Sequence, residues 1–154
     1  GQSADAYHFT APAPDGAGAQ AAMRYALADA GIETTEVDYI NAHGTSTPAN
    51  DSSETAAVKA VFGDYAYELV LGSTKSMTGH TLGAAGAIEG VISAFACQRG
   101  VIPPTINFEE ADPECDLEYA HGGPIERDVR VALSNSFGFG GHNVCLAVRR
   151  WDEG

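Results

Sequence analysis

The sequence predicts an α/β layered fold built as one domain. Three observations point to it: strand-like apolar runs alternate with alanine-rich helical runs, glycines follow the helical runs, and 44% of the residues are hydrophobic while only 19% are charged. With 154 residues, the chain is long enough to bury one substantial core. Strands that alternate with helices are typical of a layered α/β fold. The predicted order is α–β–α–β–α–β–β.

The first predicted elements follow from hydrophobic runs and from the residues that end them. A helix over residues 19–30 ends at Gly31, a short apolar strand covers residues 37–42, and a second helix covers residues 51–62. Three residues are candidate caps of the second helix, and Glu54 completes the pattern of a capping box with the first of them. These candidates are Asp51, Ser52 and Ser53.

The second half of the chain adds a strand, a helix and a terminal hairpin. The strand covers residues 68–73 and the helix 83–98, and an irregular acidic connection follows. Strands over residues 129–134 and 143–150 flank the glycine turn 138–141, which is typical of an antiparallel hairpin. Small residues on one face of the helix predict close packing against a neighbouring backbone. They are Gly83, Gly86 or Ala87, Gly90 and Ala94.

The composition argues against several classes of partner and site. The net charge is −13, with 8 basic against 21 acidic residues, so we expect neither nucleic acid nor a membrane surface as a partner. The low-charge stretch 81–98 contains Glu89 and many small residues, and it predicts a buried helix rather than a membrane span. The spacing of Cys97, Cys115 and Cys145 predicts no metal site and suits a reducing cytoplasm.

Three strand ends break into short loops of glycine, serine and threonine that present polar or aromatic side chains. The first loop places His43 at the carboxyl end of a buried strand, where open α/β sheets usually bind ligands. Gly44 allows close approach to the backbone, and Thr45 and Thr47 offer hydroxyl groups to a polar substrate. The structural alternative is a histidine that only caps the strand end beside a Ser/Thr turn.

The other two loops add a lysine, a second histidine and two phenylalanines. Lys75 directly follows a buried strand, so its charge needs a neighbouring carboxylate. Glu89, the only charged residue of the next helix, is the candidate. The pair has either a purely structural role or one that supports the histidines. With His80, the loops suggest a pocket that stabilises a carbonyl oxygen as it becomes an anion. Phe137 and Phe139 alternate with glycines, which suits a mobile gate over an acyl tunnel or, alternatively, ordinary packing in a turn.

In combination, these segments resemble the carboxyl-terminal half of the β-ketoacyl-acyl-carrier-protein synthase II type of condensing enzyme, in the thiolase-like superfamily. The resemblance extends from Ser3 to Asn143 and implies an αβαβα layered fold, with residues 1–154 as the carboxyl-terminal ketoacyl-synthase domain. Because the chain has no initiator methionine, we expect a piece of a longer product. The motifs that carry the resemblance are NAHGTSTP (41–48), GSTKS (72–76), TGHTLGAAG (78–86) and NSFGFGG (135–141).

The resemblance implies a decarboxylative Claisen condensation in fatty-acid or polyketide biosynthesis. Malonyl-carrier protein loses carbon dioxide, and its enolate attacks an acyl thioester held on a cysteine. His43 and His80 match the catalytic histidines that donate hydrogen bonds to the enolate oxygen, and Lys75 matches the catalytic lysine that organises the site beside Glu89. Preorganised donors of this kind lower a barrier by about 3–4 kcal/mol each.

Further matches concern substrate binding and structural support. Thr45 and Thr47 match residues that hydrogen-bond the pantetheine arm, and Phe139, with Phe137 beside it, matches the phenylalanine that gates the acyl pocket. The phosphopantetheine arrives on the carrier protein, so we expect no cofactor of the chain's own. Some relatives hold a structural monovalent cation. The residues in matching positions are Asn135, Glu89 and Asn143.

The chain departs from the family pattern at the nucleophile. The family cysteine lies in the amino-terminal half, at the start of a buried helix whose dipole lowers its pKa, and no cysteine of this chain fits that place. We therefore expect an inactive lobe until the amino-terminal half joins it, with acyl carrier protein as a partner and a homodimer as the complete enzyme. The alternative is a non-catalytic scaffold subunit similar to a chain-length factor of polyketide systems, although the trio His43, Lys75 and His80 favours a catalyst.

Overall fold

A computed structural model describes residues 1–151 and shows two β-sheets within them. The main sheet has five strands: β1 (Gln2–Ala4), β2 (Tyr39–Asn41), β3 (Val70–Gly72), β6 (Val131–Gly138) and β7 (His142–Arg149). Their spatial order is β1-β7-β6-β2-β3. Strand β2 pairs in parallel with β3 and β6, whereas β7 runs antiparallel to both β6 and β1. The small sheet joins β4 (Val101–Ile102) to β5 (Ile125–Glu126).

Helices cover both faces of the main sheet. They are α1 (Ala17–Ala30), α2 (Pro48–Phe62), α3 (Lys75–Thr78) and α4 (Ala85–Arg99). Residues of α1 and α2 share a hydrophobic cluster with Leu133 and Cys145 on one face, and residues of α4 share a second cluster with Tyr39 and Ala132 on the other. The predicted α/β layered class is therefore confirmed, with α1 and α2 against one face of the main sheet and α4 against the other.

Helices α2 and α4 begin at residues other than those predicted. Helix α2 begins at Pro48 because Thr47 is its N-cap: the Thr47 side-chain oxygen accepts a hydrogen bond from the Asn50 N–H at 3.3 Å. The predicted capping box at Asp51 is therefore wrong. Helix α4 begins at Ala85, after a 3₁₀ turn over Leu82–Ala84. The antiparallel hairpin of β6 and β7 is confirmed.

The small residues of α4 are divided between two environments. A Cβ atom at Gly86 would lie 3.2 Å from the Ser136 hydroxyl, so this part of the helix does approach β6 closely. At Gly90 the corresponding distance to Leu146 is an ordinary 3.8 Å. Ala87 and Ala94 instead face solvent, which corrects the prediction of one close-packed face.

The solvent side of α4 is apolar. Val91 and Phe95 are 57% and 53% exposed, and Leu82 just before the helix is 72% exposed. A cavity of about 410 Å³ lies between this side and the end of β7, where Trp151 is 86% exposed. Within residues 1–151, no helix combines the length and hydropathy needed to cross a bilayer.

Candidate active site

Two histidines and a phenylalanine meet where β2 ends. His43 follows β2 and is buried, whereas His80 follows α3 and is exposed. Their ring centroids are 5.6 Å apart with the planes at 84°, an edge-to-face contact. The ring centroid of Phe137, on β6, also lies 5.6 Å from that of His43. Two chain segments that are distant in sequence thus converge on His43.

A buried carboxylate fixes the backbone of this turn. The Oε1 atom of Glu54 accepts a hydrogen bond from the His43 N–H at 2.9 Å, and its Oε2 atom accepts one from the Gly44 N–H at 2.9 Å. Oε1 also accepts a hydrogen bond from the Asn135 side-chain amide at 3.1 Å. Sequence reasoning assigned Glu54 to a capping box and missed this role. A charged residue on the buried side of α2 was the signal that could have revealed it.

His43 is held in its neutral form. Burial, above all, and the positive charges of Lys75 and His80 lower its pKa to about 3. Its Nδ1 atom is buried and makes no hydrogen bond within the described residues. A neutral imidazole carries one N–H group, so His43 retains a hydrogen-bond donor at physiological pH.

The backbone that follows His80 selects the tautomer of its ring. The Nδ1 atom of His80 accepts a hydrogen bond from the Leu82 N–H at 3.2 Å. Leu82 has φ of 52°, in the left-handed region that a leucine rarely adopts. Because Nδ1 is an acceptor, the proton of neutral His80 lies on Nε2.

Lys75 and Glu89 form a buried ion pair beside the histidines. Burial raises the pKa of Glu89, and the adjacent ammonium group opposes that rise. The Asn41 side-chain amide donates to the Glu89 carbonyl at 3.4 Å and to the Thr74 hydroxyl at 3.2 Å. The expected contact between Lys75 and Glu89 is therefore present, and Asn41 links it to β2.

The remaining predicted binding residues lie around the rim. The hydroxyls of Thr45 and Thr47 are 3.2 Å apart, and Thr47 also caps α2. Phe139 is 75% exposed on the glycine turn between β6 and β7. The N–H of Gly140 in this turn donates to the Phe9 carbonyl at 2.7 Å, so the turn is attached to the amino-terminal loop.

The three residues suggested for a structural cation do not converge. Asn135 hydrogen-bonds Glu54, and Asn143 hydrogen-bonds Asp5 at 2.7 Å, both on the side of the sheet covered by α1 and α2. Glu89 lies on α4, on the opposite side. Adjacent strand residues point to opposite faces, so it is Ser134, not Asn135, that shares the side of Glu89. These donors do not fit one cation, and no group of three His, Cys, Asp or Glu side chains in the described chain does either.

The cysteines are poor nucleophiles. Burial raises the pKa of Cys97 and Cys115, and it raises the pKa of Cys145 to about 12. A thiolate is the reactive form, so these pKa values disfavour attack by any of the three.

The family of the chain follows from comparison with known proteins. Residues 1–109 match the family model described as beta-ketoacyl synthase, C-terminal domain. The chain therefore belongs to the beta-ketoacyl synthase family.

Individual relatives agree with this assignment. The chain is 57% identical over 147 residues to 3-oxoacyl-[acyl-carrier-protein] synthase 2 of Synechocystis sp., an alignment that covers 96% of this chain and 35% of that protein. It superposes on the ishigamide ketosynthase/chain length factor with a TM-score of 0.93 and 43% identity, covering 99% of this chain and 37% of that one. On AntDE:AntF, a type II PKS acyl-carrier protein in complex with its ketosynthase, the TM-score is 0.95 with 39% identity, covering 98% and 37%. The chain thus spans little more than a third of the length of these relatives.

Proposed function

We propose that this chain supplies the two-histidine part of the active site of a 3-oxoacyl-[acyl-carrier-protein] synthase. The complete enzyme condenses malonyl-carrier protein with an acyl thioester. One observation carries the proposal: His43 and His80 meet edge to face at the end of β2, and each has an N–H group to donate. Strand ends of this kind are where α/β folds bind substrates.

The proposed chemistry places both histidines at the thioester oxygen of the malonyl group. The bond between the malonyl carboxylate and the α-carbon breaks, carbon dioxide leaves, and the electron pair forms an enolate. His43 and the Nε2–H of His80 donate hydrogen bonds to the enolate oxygen. The α-carbon then attacks the acyl thioester, and the cysteine thiolate leaves. Lys75 and Glu89 keep the polar surroundings of the histidines in place.

The substrate arrives on a carrier protein in this proposal. Thr45 and Thr47 hydrogen-bond the pantetheine arm, and Phe139, beside Phe137, gates the acyl pocket. A relative of known structure is an acyl-carrier protein in complex with its ketosynthase, which supports such a partner. The net charge of −13 would repel an acidic carrier, so we place the basic docking surface outside this chain.

The nucleophile belongs to an amino-terminal half in this proposal. The raised pKa values of the cysteines support a thiol supplied from outside this chain. The apolar side of α4 supports a large contact with that half, because exposed apolar faces of this kind usually mark interfaces. We place the complete enzyme in the cytoplasm, as a homodimer.

The test measures carbon dioxide release and condensation by the complete synthase, in which this chain is joined to its amino-terminal half. His43→Ala and His80→Ala should each lower kcat for malonyl decarboxylation about 100-fold or more. His121→Ala, which removes an exposed histidine stacked on Phe108, is the matched control and should keep full activity. Equal rates in all three variants would overturn the proposal.

A scaffold similar to a chain-length factor is the second candidate. The similarity of this chain to the ishigamide ketosynthase/chain length factor supports considering it. Iodoacetamide labelling of the complete protein separates the two functions. A labelled cysteine in the amino-terminal half together with product formation supports the synthase. A protein without a reactive cysteine and without product is a scaffold.

A further inference from the structure

The helix that carries Lys75 is too short to hold its own position. Helix α3 has four residues, and an isolated helix of one turn is unstable in water. Lys75 is buried in its ion pair with Glu89, and a buried pair stabilises a protein only when its geometry is good. Contacts from outside α3 must therefore fix where the ammonium group lies.

The outer side of α3 is held by the connection between β4 and β5. The Thr105 hydroxyl oxygen accepts a hydrogen bond from the Ser73 N–H at 3.1 Å. The Ile106 N–H donates to the Ser76 hydroxyl oxygen at 3.0 Å, and the Asn107 side-chain amide donates to the Ser76 carbonyl at 3.1 Å. Three consecutive residues of an irregular loop thus bind the turn that carries Lys75.

The backbone of Asn107 has a conformation that is uncommon for a residue other than glycine. Its φ is 61°, in the left-handed region where asparagine is favoured among non-glycine residues. The carbonyl that it binds, on Ser76, lies in the last turn of α3, where carbonyl groups lack partners within the helix. The amide therefore satisfies a group that a one-turn helix leaves open.

The same turn is connected to the loop that carries His43. The Ser73 hydroxyl donates to the Gly44 carbonyl at 2.7 Å, while the Ser73 carbonyl accepts a hydrogen bond from the Ser76 hydroxyl at 2.8 Å. Two hydrogen bonds, from Ser76 to Ser73 and from Ser73 to Gly44, thus connect Ser76 to the residue after His43.

We propose that Asn107 is a positioning residue for the reaction, which holds α3 so that Lys75 and the turn of His43 keep their places. This inference rests on the proposed function and adds a residue to it from a loop remote in sequence from both histidines. Asn107 acts through Ser76 and does not touch the substrate.

The test compares Asn107→Gly with Glu110→Gly in the complete synthase. Asn107→Gly keeps the left-handed conformation accessible and removes the amide donor, whereas Glu110→Gly introduces glycine at an exposed position of the same loop. We expect Asn107→Gly to lower kcat for malonyl decarboxylation about tenfold, with KM within about twofold of the unmodified enzyme, because a small misplacement affects the chemical step more than binding. Glu110→Gly should leave both constants unchanged.

Hydrogen–deuterium exchange gives a readout that does not depend on activity. Peptides covering residues 73–79 should exchange faster in Asn107→Gly than in Glu110→Gly. Equal exchange, equal kcat in the two variants, or a loss expressed only in KM would each overturn the proposal. If the unmodified synthase releases no carbon dioxide, the proposed function and the positioning role fail together, and the exchange rates then show whether Asn107 still holds α3.

Discussion

At Glu54, one buried carboxylate accepts hydrogen bonds from two backbone N–H groups and a side-chain amide. Burial raises its pKa, and the three donors partly compensate by stabilising the charged form. The N–H groups belong to His43 and Gly44, so the carboxylate determines the direction in which the chain leaves β2.

Replacement of Glu54 should therefore destabilise the fold. Glu54→Ala leaves two buried donors and one half-buried donor unpaired, and each buried donor costs about 1–3 kcal/mol. We expect the free energy of unfolding, measured with urea, to fall by about 3 kcal/mol or more. Glu109→Ala, at an exposed position, should change it by less than about 0.5 kcal/mol. A similar effect of both variants would contradict the structural role of Glu54.

The low pKa of His43 makes stability depend on pH. The folded state holds this pKa at about 3, below the ordinary value of 6.5, so between these values the unfolded chain binds a proton that the folded chain does not. The contribution of His43 to the free energy of unfolding is therefore fully present above pH 6.5. It is lost as the pH falls towards 3, at up to about 1.4 kcal/mol per pH unit.

A variant that lacks only the His43 imidazole isolates this contribution. Between pH 7 and pH 5, the unmodified chain should lose about 1–2 kcal/mol more unfolding free energy than His43→Gln loses, because the variant lacks the titrating ring. Urea unfolding at the two pH values measures the difference. Parallel pH dependences would mean that the His43 pKa is not lowered by folding.

At the scale of the elements, the turn between β2 and α2 leaves no room for a side chain at Gly44. Gly44 has φ of 42°, and an added Cβ atom would lie 2.5 Å from the Cβ atom of Ser73. Gly44→Ala should therefore cost about 3 kcal/mol or more, from backbone strain and a clash together. Gly31→Ala is the control: it has φ of 61° with no atom near its added Cβ, so only about 1 kcal/mol is expected. Thermal unfolding of both variants measures the contrast.

Sequence reasoning located the site because local patterns determine where strands end. The apolar run before His43, together with Gly44 and the serine and threonines after it, sufficed to predict a loop at the edge of a sheet. The role of Glu54 escaped prediction because its partners lie on β6 and in the turn after β2, and a capping box explained it locally. The contacts of Asn107 were hidden for the same reason, since an irregular loop has no periodicity that shows what it packs against.

For the whole molecule, the apolar side of α4 has the largest consequence. Val91 and Phe95 are more than half exposed, so the chain by itself should self-associate through this side. We expect the double variant Val91→Lys/Phe95→Lys to be monomeric in sedimentation velocity at concentrations where the unmodified chain associates. Tyr25→Lys, which replaces an exposed aromatic residue on α1, should leave the association unchanged. Association that persists in the double variant would place the contact elsewhere.

The pairing of β2 with β6 also means that the site is completed late in translation. Asn41 pairs in register with Ser134, a partner made about 90 residues later, and translation at 5–20 residues per second separates the two by about 5–20 s. During that interval Glu54 and His43 have emerged without Asn135 and Phe137. A nascent chain thus carries an unfinished pocket for seconds, with surfaces exposed that the completed fold buries.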